Sequence, residues 1–109
     1  MIKISVKPLS VNQCWKGQRY KTDDYKKYEK ILLYTLPKIN IPEGKLKISF
    51  VFGFSNSGAD IDNILKPLID ILSKKYGFND NRIYEQVAKK EIVKKGQEFF
   101  EFEILTLNK

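Results

Sequence analysis

Histidine is missing altogether from the 109 residues, and cysteine occurs once, at Cys14. The first absence excludes His-liganded metals, Ser-His triads and Cys-His pairs together; the second excludes an internal disulfide. Long apolar runs are lacking too. Nothing approaches the roughly 18 residues needed to span a bilayer, and the opening MIKISVKP alternates polarity where a secretory leader needs an unbroken apolar core. The expectation is a cytoplasmic protein with no membrane segment. Acids are scarce relative to bases, 13 against 20, for a formal net charge of +7. Any chemistry therefore rests on carboxylates and lysines, with or without a metal.

The composition, 42% hydrophobic and 30% charged, suits an ordinary folded protein and argues against wholesale disorder. The length predicts one domain over 1–109, with a modest core and no room for a second. No internal repeat, low-complexity segment or domain boundary interrupts it. The basic excess attracts polyanions at long range, nucleic acid first among them, although solubility alone also accounts for a lysine-rich surface.

Ile2, Ile4 and Val6 alternate as in a half-buried strand that Pro8 ends. The next segment, LSVNQCWKGQRYKT, has no clear period and interleaves Trp15 and Tyr20 with Lys16, Arg19 and Lys21. Such a mixture can stack on bases and hold phosphates; equally, the aromatics can cap the core edge beneath solvated cations. In TDDYKKYEKILLYTL, a helix is predicted with Thr22 or Asp23 as N-cap and Tyr25, Tyr28, Leu32 and Leu36 at helical spacing. KLKISFVFGF sets Leu46, Ile48, Phe50, Phe52 and Phe54 on one face of a strand. A second amphipathic helix runs roughly from Asn63 to Lys75 and ends before Gly77, with Leu65, Leu68, Ile69, Leu72 and Tyr76 inward. Pro67 conflicts with a start near Asp62, so an irregular first turn or a later start is expected. RIYEQVAKKEIV, the turn KKGQ and EFFEFEILTL read as an antiparallel hairpin with Phe100, Phe102 and Ile104 inward. The expected fold is α+β, in the order β-α-β-α-β-β, a mixed sheet with two helices.

The chemically distinctive feature is GADIDNILKPLIDILSKKYGFND, which gathers Asp60, Asp62, Asp70 and Asp80 within a basic chain. Three of the four acids have a plain structural explanation. Asp62 can cap a helix, Asp62, Lys66 and Asp70 can form an exposed ladder of ion pairs, and Asp80 can shape a turn. Together these leave Asp60 unexplained and put two carboxylates beside one lysine. A calcium loop of the EF-hand type does not fit, because Ile64 and Leu65 fall where a ligand and glycine belong. Mg²⁺ fits better: an incomplete cage of Asp60, Asp62 and Asp80 leaves room for water and a substrate phosphate. Lys66, one turn from Asp62, would then supply positive charge to a phosphoryl transition state. Asp70, one turn beyond Lys66, either orients that lysine or is its structural ion-pair partner.

DIDNILKPLIDIL, followed by FND and a lysine-bearing hairpin, resembles the RusA family of Holliday junction resolvases. In these small Mg²⁺-dependent endonucleases, the pattern D-x-D-N-x-x-K-x-x-x-D-x-L precedes a further aspartate at the start of a strand. The match runs through Asp60, Asp62, Asn63, Lys66, Asp70 and Leu72 to Asp80, and length and element order agree over most of the chain. It departs from the pattern at Asn79, where members often carry a second acid, and at NSGA, where some carry bases. The resemblance implies a RusA-like homodimer that nicks four-way junction DNA symmetrically in recombination and repair, leaving 5′-phosphate and 3′-hydroxyl ends. It implies Asp60, Asp62 and Asp80 as metal-binding catalytic carboxylates and Lys66 as the essential lysine that also meets DNA. Asn63 and Asp70 would support them, and Mn²⁺ would be a possible substitute for Mg²⁺. A C₂ dimer suits a junction of approximate two-fold symmetry. Two other readings stand beside this one: a non-catalytic nucleic-acid-binding protein of the same fold, and a nuclease of flaps or other branched DNA.

Overall fold

The computed structural model describes residues 1–9, 15–16 and 20–107, with backbone only at 15, 16, 20 and 21. Four strands form one mixed sheet in the order β1-β6-β4-β5: β1 (Ile2–Ile4), β4 (Leu46–Phe54), β5 (Ile83–Ile92) and β6 (Phe99–Thr106). Two very short strands, β2 (Trp15–Lys16) and β3 (Tyr20–Lys21), pair antiparallel as a separate ribbon. The cations proposed there to meet DNA, Lys16, Arg19 and Lys21, lie outside the described residues as far as their side chains are concerned.

Strand β4 is central because its sequence leaves no alternative. Leu46, Ile48, Phe50, Phe52 and Phe54 are all buried, and a strand carrying five large apolar residues on one face needs neighbours on both edges and helices above it. Phe50 and Phe52 stand opposite Phe102 and Phe100 of β6, building an aromatic floor. On the far face, the Phe99 ring crosses directly over Gly53; a β-carbon there would lie 2.2 Å from Phe99. That position needs glycine for close approach rather than for an unusual φ.

The expected β5–β6 hairpin does not form. Strand β5 pairs parallel with β4, from Leu46 opposite Ile83 to Phe54 opposite Ile92, and β6 pairs antiparallel on the other side of β4. The KKGQ turn is present, with Gly96 at φ 93° and Gln97 N–H donating to Lys94 O. The connection it belongs to steps over the end of β4, where Val93 N–H donates to Phe54 O. Polarity explains the outcome. The side chains of YEQVAKKE tolerate an open edge, whereas β6 carries phenylalanines that must be covered.

Helix α1 (Asp23–Thr35) is capped by Thr22, whose hydroxyl accepts from Tyr25 N–H, and it buries Tyr25, Tyr28 and Leu32. Helix α2 (Ile61–Tyr76) links β4 to β5 and ends at Gly77, which adopts a left-handed φ of 71°. It starts earlier than the sequence reading placed it and runs through Pro67, which is buried. Pro67 has no N–H to give the carbonyl four residues back, so its packing must offset a lost helical bond. The buried stripe of α2 is Ile64, Pro67, Leu68, Ile71 and Leu72; Leu65, Ile69 and Tyr76 are only partly covered. Lys75 donates to Leu33 O and the Tyr76 hydroxyl to Pro37 O, tying α2 to the carbonyl end of α1, which has no basic residue of its own in its last turn. Among the described residues, no helix is long and apolar enough to cross a membrane.

Candidate active site

The parallel β4-α2-β5 unit dictates where the acids fall. The chain leaves β4 at Phe54, turns through Ser55–Ala59 and enters α2 at Ile61, so Asp60 and Asp62 sit at the helix N-terminus. Asp60, not Asp62, is the N-cap: one of its carboxylate oxygens accepts from Asp62 N–H at 3.2 Å. The residue that capping left unexplained in the sequence is the one that caps, and both carboxylates are exposed. The positive end of the helix dipole attracts both carboxylates and so offsets part of their mutual repulsion.

The preceding turn is held from three directions. Within it, Asn56 Oδ1 accepts from Gly58 N–H, and Asn56 O from Ala59 N–H. From the residue just before β6, Glu98 accepts from the Ser55 hydroxyl at 2.7 Å; that bond is the foremost reason its carboxyl is held below the usual range, with its own backbone bond, Gly96 N–H and the Lys7 charge adding to it. From β5, Lys90 Nζ donates to Ser57 O at 3.0 Å and to Ala59 O at 2.9 Å.

One turn into α2, Lys66 Nζ lies 3.1 Å from Asp70 and 4.0 Å from Asp80. The Lys66–Asp70 pair is the i, i+4 contact expected from spacing. Asp80 arrives from the other side of the crossover, on a 3₁₀ turn (Asp80–Arg82) capped by the Asn79 side chain. Arg82 pins that turn by donating to Gly44 O and Pro42 O. Asp80 and Lys66 line an open cleft of about 380 Å³ with Ile69, Ile83, Tyr84, Glu85 and Gln86. Tyr84 falls at a register shift in the β4–β5 ladder and is 63% exposed, with Lys45 Nζ 4.9 Å from its ring centroid.

The structure thus brings Lys66, Asp70 and Asp80 together, and sets Asp60 and Asp62 side by side at the start of the same helix. Asn63 follows in the first turn and is half-buried. Among the described residues, no three acidic or cysteine side chains form a ready-made metal cage. As donors the acids fit a hard divalent cation: all are carboxylates, Asp60, Asp62 and Asp80 are exposed, and Asp60 has one oxygen beyond its cap bond. Sequence pattern alone does not single out Lys90, Arg82 or Tyr84, since only the parallel pairing of β5 with β4 gives them these positions. No family model matches the chain, and comparison with curated proteins finds no match.

Proposed function

We propose that this chain is a Mg²⁺-dependent, structure-selective endodeoxyribonuclease of the RusA type, which acts as a homodimer on four-way DNA junctions. The observation that carries the reading is Lys66 between Asp70 and Asp80, one turn from the Asp60–Asp62 pair. A protein that only bound nucleic acid would gain nothing from carboxylates directed at phosphate.

Asp60, Asp62 and Asp80 would hold the cation, with Mn²⁺ as a substitute. When bound, it supplies a lowered pKa for the attacking water and a charge that holds the scissile phosphate. The chain's own residues do the rest. Asp60 keeps the first turn of α2 in place through its cap bond. Lys66, whose side chain is 66% exposed, would exchange a carboxylate partner for a phosphate oxygen, where its ammonium stabilises negative charge developing on the phosphoryl or leaving oxygen. Asp70 restrains Lys66 from the next turn. The net positive charge of the chain favours salt-sensitive, shape-directed binding through backbone phosphates.

The test is cleavage of a labelled synthetic four-way junction in Mg²⁺, in Mn²⁺ and in EDTA, beside a flap and a linear duplex. Paired nicks in the junction, absent in EDTA and in Asp62→Asn and Lys66→Ala, are expected. Tight junction binding without cleavage in either metal would instead favour a non-catalytic nucleic-acid-binding protein. One observation supports that second reading: Asp60 has a capping role and Lys66 two carboxylate partners without any substrate. Preferential cutting of the flap would point to a nuclease of other branched DNA.

A further inference from the structure

Lys90 lies on the exposed edge strand, yet its side chain is committed. In the parallel ladder it stands opposite Phe52, so it shares the sheet face covered by α2. From there its ammonium spans to two carbonyls, Ser57 O at 3.0 Å and Ala59 O at 2.9 Å. These carbonyls belong to the last turn before Asp60, and the second is on the residue directly preceding it. A lysine has three donors and no acceptor, so two charge-assisted bonds to one turn make it a clamp.

We propose that Lys90 is the positioning residue of the acidic site: through Ser57 O and Ala59 O it fixes the backbone that carries Asp60. The inference rests on the nuclease reading for its effect on cation binding, but not for the clamp itself. The geometry explains why a clamp is needed. The Ser55–Ala59 turn has no strand partner of its own, and its bond to Glu98 grips only the entrance, at Ser55. The exit, where the direction of the Asp60 carboxylate is set, is held to the rest of the fold by Lys90 and by the packing of Ala59 against the core. An arginine at 90 can make the same pair of bonds, whereas a methionine keeps the stem and loses every donor.

The experiment compares full-length wild type, Lys90→Met and Lys90→Arg in two measurements. The first is amide exchange across residues 57–62, which needs neither metal nor DNA. The second is Mn²⁺ binding by calorimetry together with the Mg²⁺ midpoint for junction cleavage. Lys90→Met is expected to exchange faster at Gly58, Ala59 and Asp60 and to lose about tenfold to a hundredfold in cation affinity. Its turnover at saturating Mg²⁺ should change far less, and Lys90→Arg should recover most of both effects. Unchanged exchange and an unchanged midpoint in Lys90→Met would overturn the proposal. Faster exchange with unaltered cation binding would overturn the link to the acids. A wild type that neither binds Mn²⁺ nor cuts DNA would sink the nuclease reading and the metal-positioning role with it, while the exchange data would still decide the clamp. If Lys90→Met lost its fold, Lys90→Gln, one atom shorter and uncharged, would take its place: faster exchange across residues 57–62 with weaker cation binding supports the proposal, and wild-type values in both refute it.

Discussion

Lys66 Nζ stands 4.0 Å from a carboxylate oxygen of Asp80, a residue that reaches it only because the chain turns back after α2 to enter β5. Both side chains are substantially exposed, so the pair contributes at most about 1 kcal/mol to stability. Lys66→Ala should therefore shift a urea midpoint only slightly, while the proposed cleavage falls by about a hundredfold to a thousandfold. A variant with full cleavage would show that this lysine serves only its ion pairs.

Asp60 separates a structural role from a chemical one. Asparagine caps a helix as well as aspartate does, whereas alanine does not, and the loss costs about 0.5–2 kcal/mol. Asp60→Asn should match wild type in urea denaturation and lose junction cleavage; Asp60→Ala should lose both. Full cleavage by a well-folded Asp60→Asn would remove Asp60 from the metal set.

The Phe99 ring occupies the space that a side chain at Gly53 would need. A methyl group at 53 cannot be accommodated unless the Phe99 ring moves, and overpacking of this kind costs about 1–3 kcal/mol. Gly53→Ala should lower the urea midpoint accordingly, and adding Phe99→Leu should restore part of the loss. Equal stability of Gly53→Ala and wild type would mean that the ring shifts freely.

Burial raises the Tyr76 phenol above its ordinary pKa, and its hydroxyl donates to Pro37 O at 2.6 Å. The folded state thus keeps this proton more tightly than the unfolded chain. The resulting stability is complete below the ordinary phenol range, near pH 10, and is lost as pH rises through the higher folded value. Wild type should therefore lose stability more steeply than Tyr76→Phe above about pH 10 in urea titrations. Parallel curves would show that Tyr76 contributes nothing to the pH dependence.

Much of the fold was legible from local pattern. The capped α1, the buried alternation of β4 and the Gly77 stop of α2 follow from periods of 3.6 and 2 and from a glycine able to take positive φ. Where the start of α2 was misjudged, Pro67 was the cause. A proline in the second turn argues against a helix locally, and burial against the sheet overrode that preference. Asp62, Lys66 and Asp70 are legible as well, because their spacing along one helix needs no tertiary information.

Pairing partners were not legible in the same way. A polar strand, a glycine turn and an aromatic strand describe a hairpin and a crossover equally well, since side-chain alternation states which face is buried but not which edge is adjacent. The sequence by itself determined the two helices and the four strands of the main sheet, though not the β2–β3 ribbon or the 3₁₀ turn, together with the core face and the run of acids with one lysine. Only the tertiary structure decided that β5 joins β4 in parallel. That choice brings Asp80 to Lys66 and Lys90 to the Asp60 turn, because contacts between distant segments depend on how the whole apolar surface of β4 is covered from both sides.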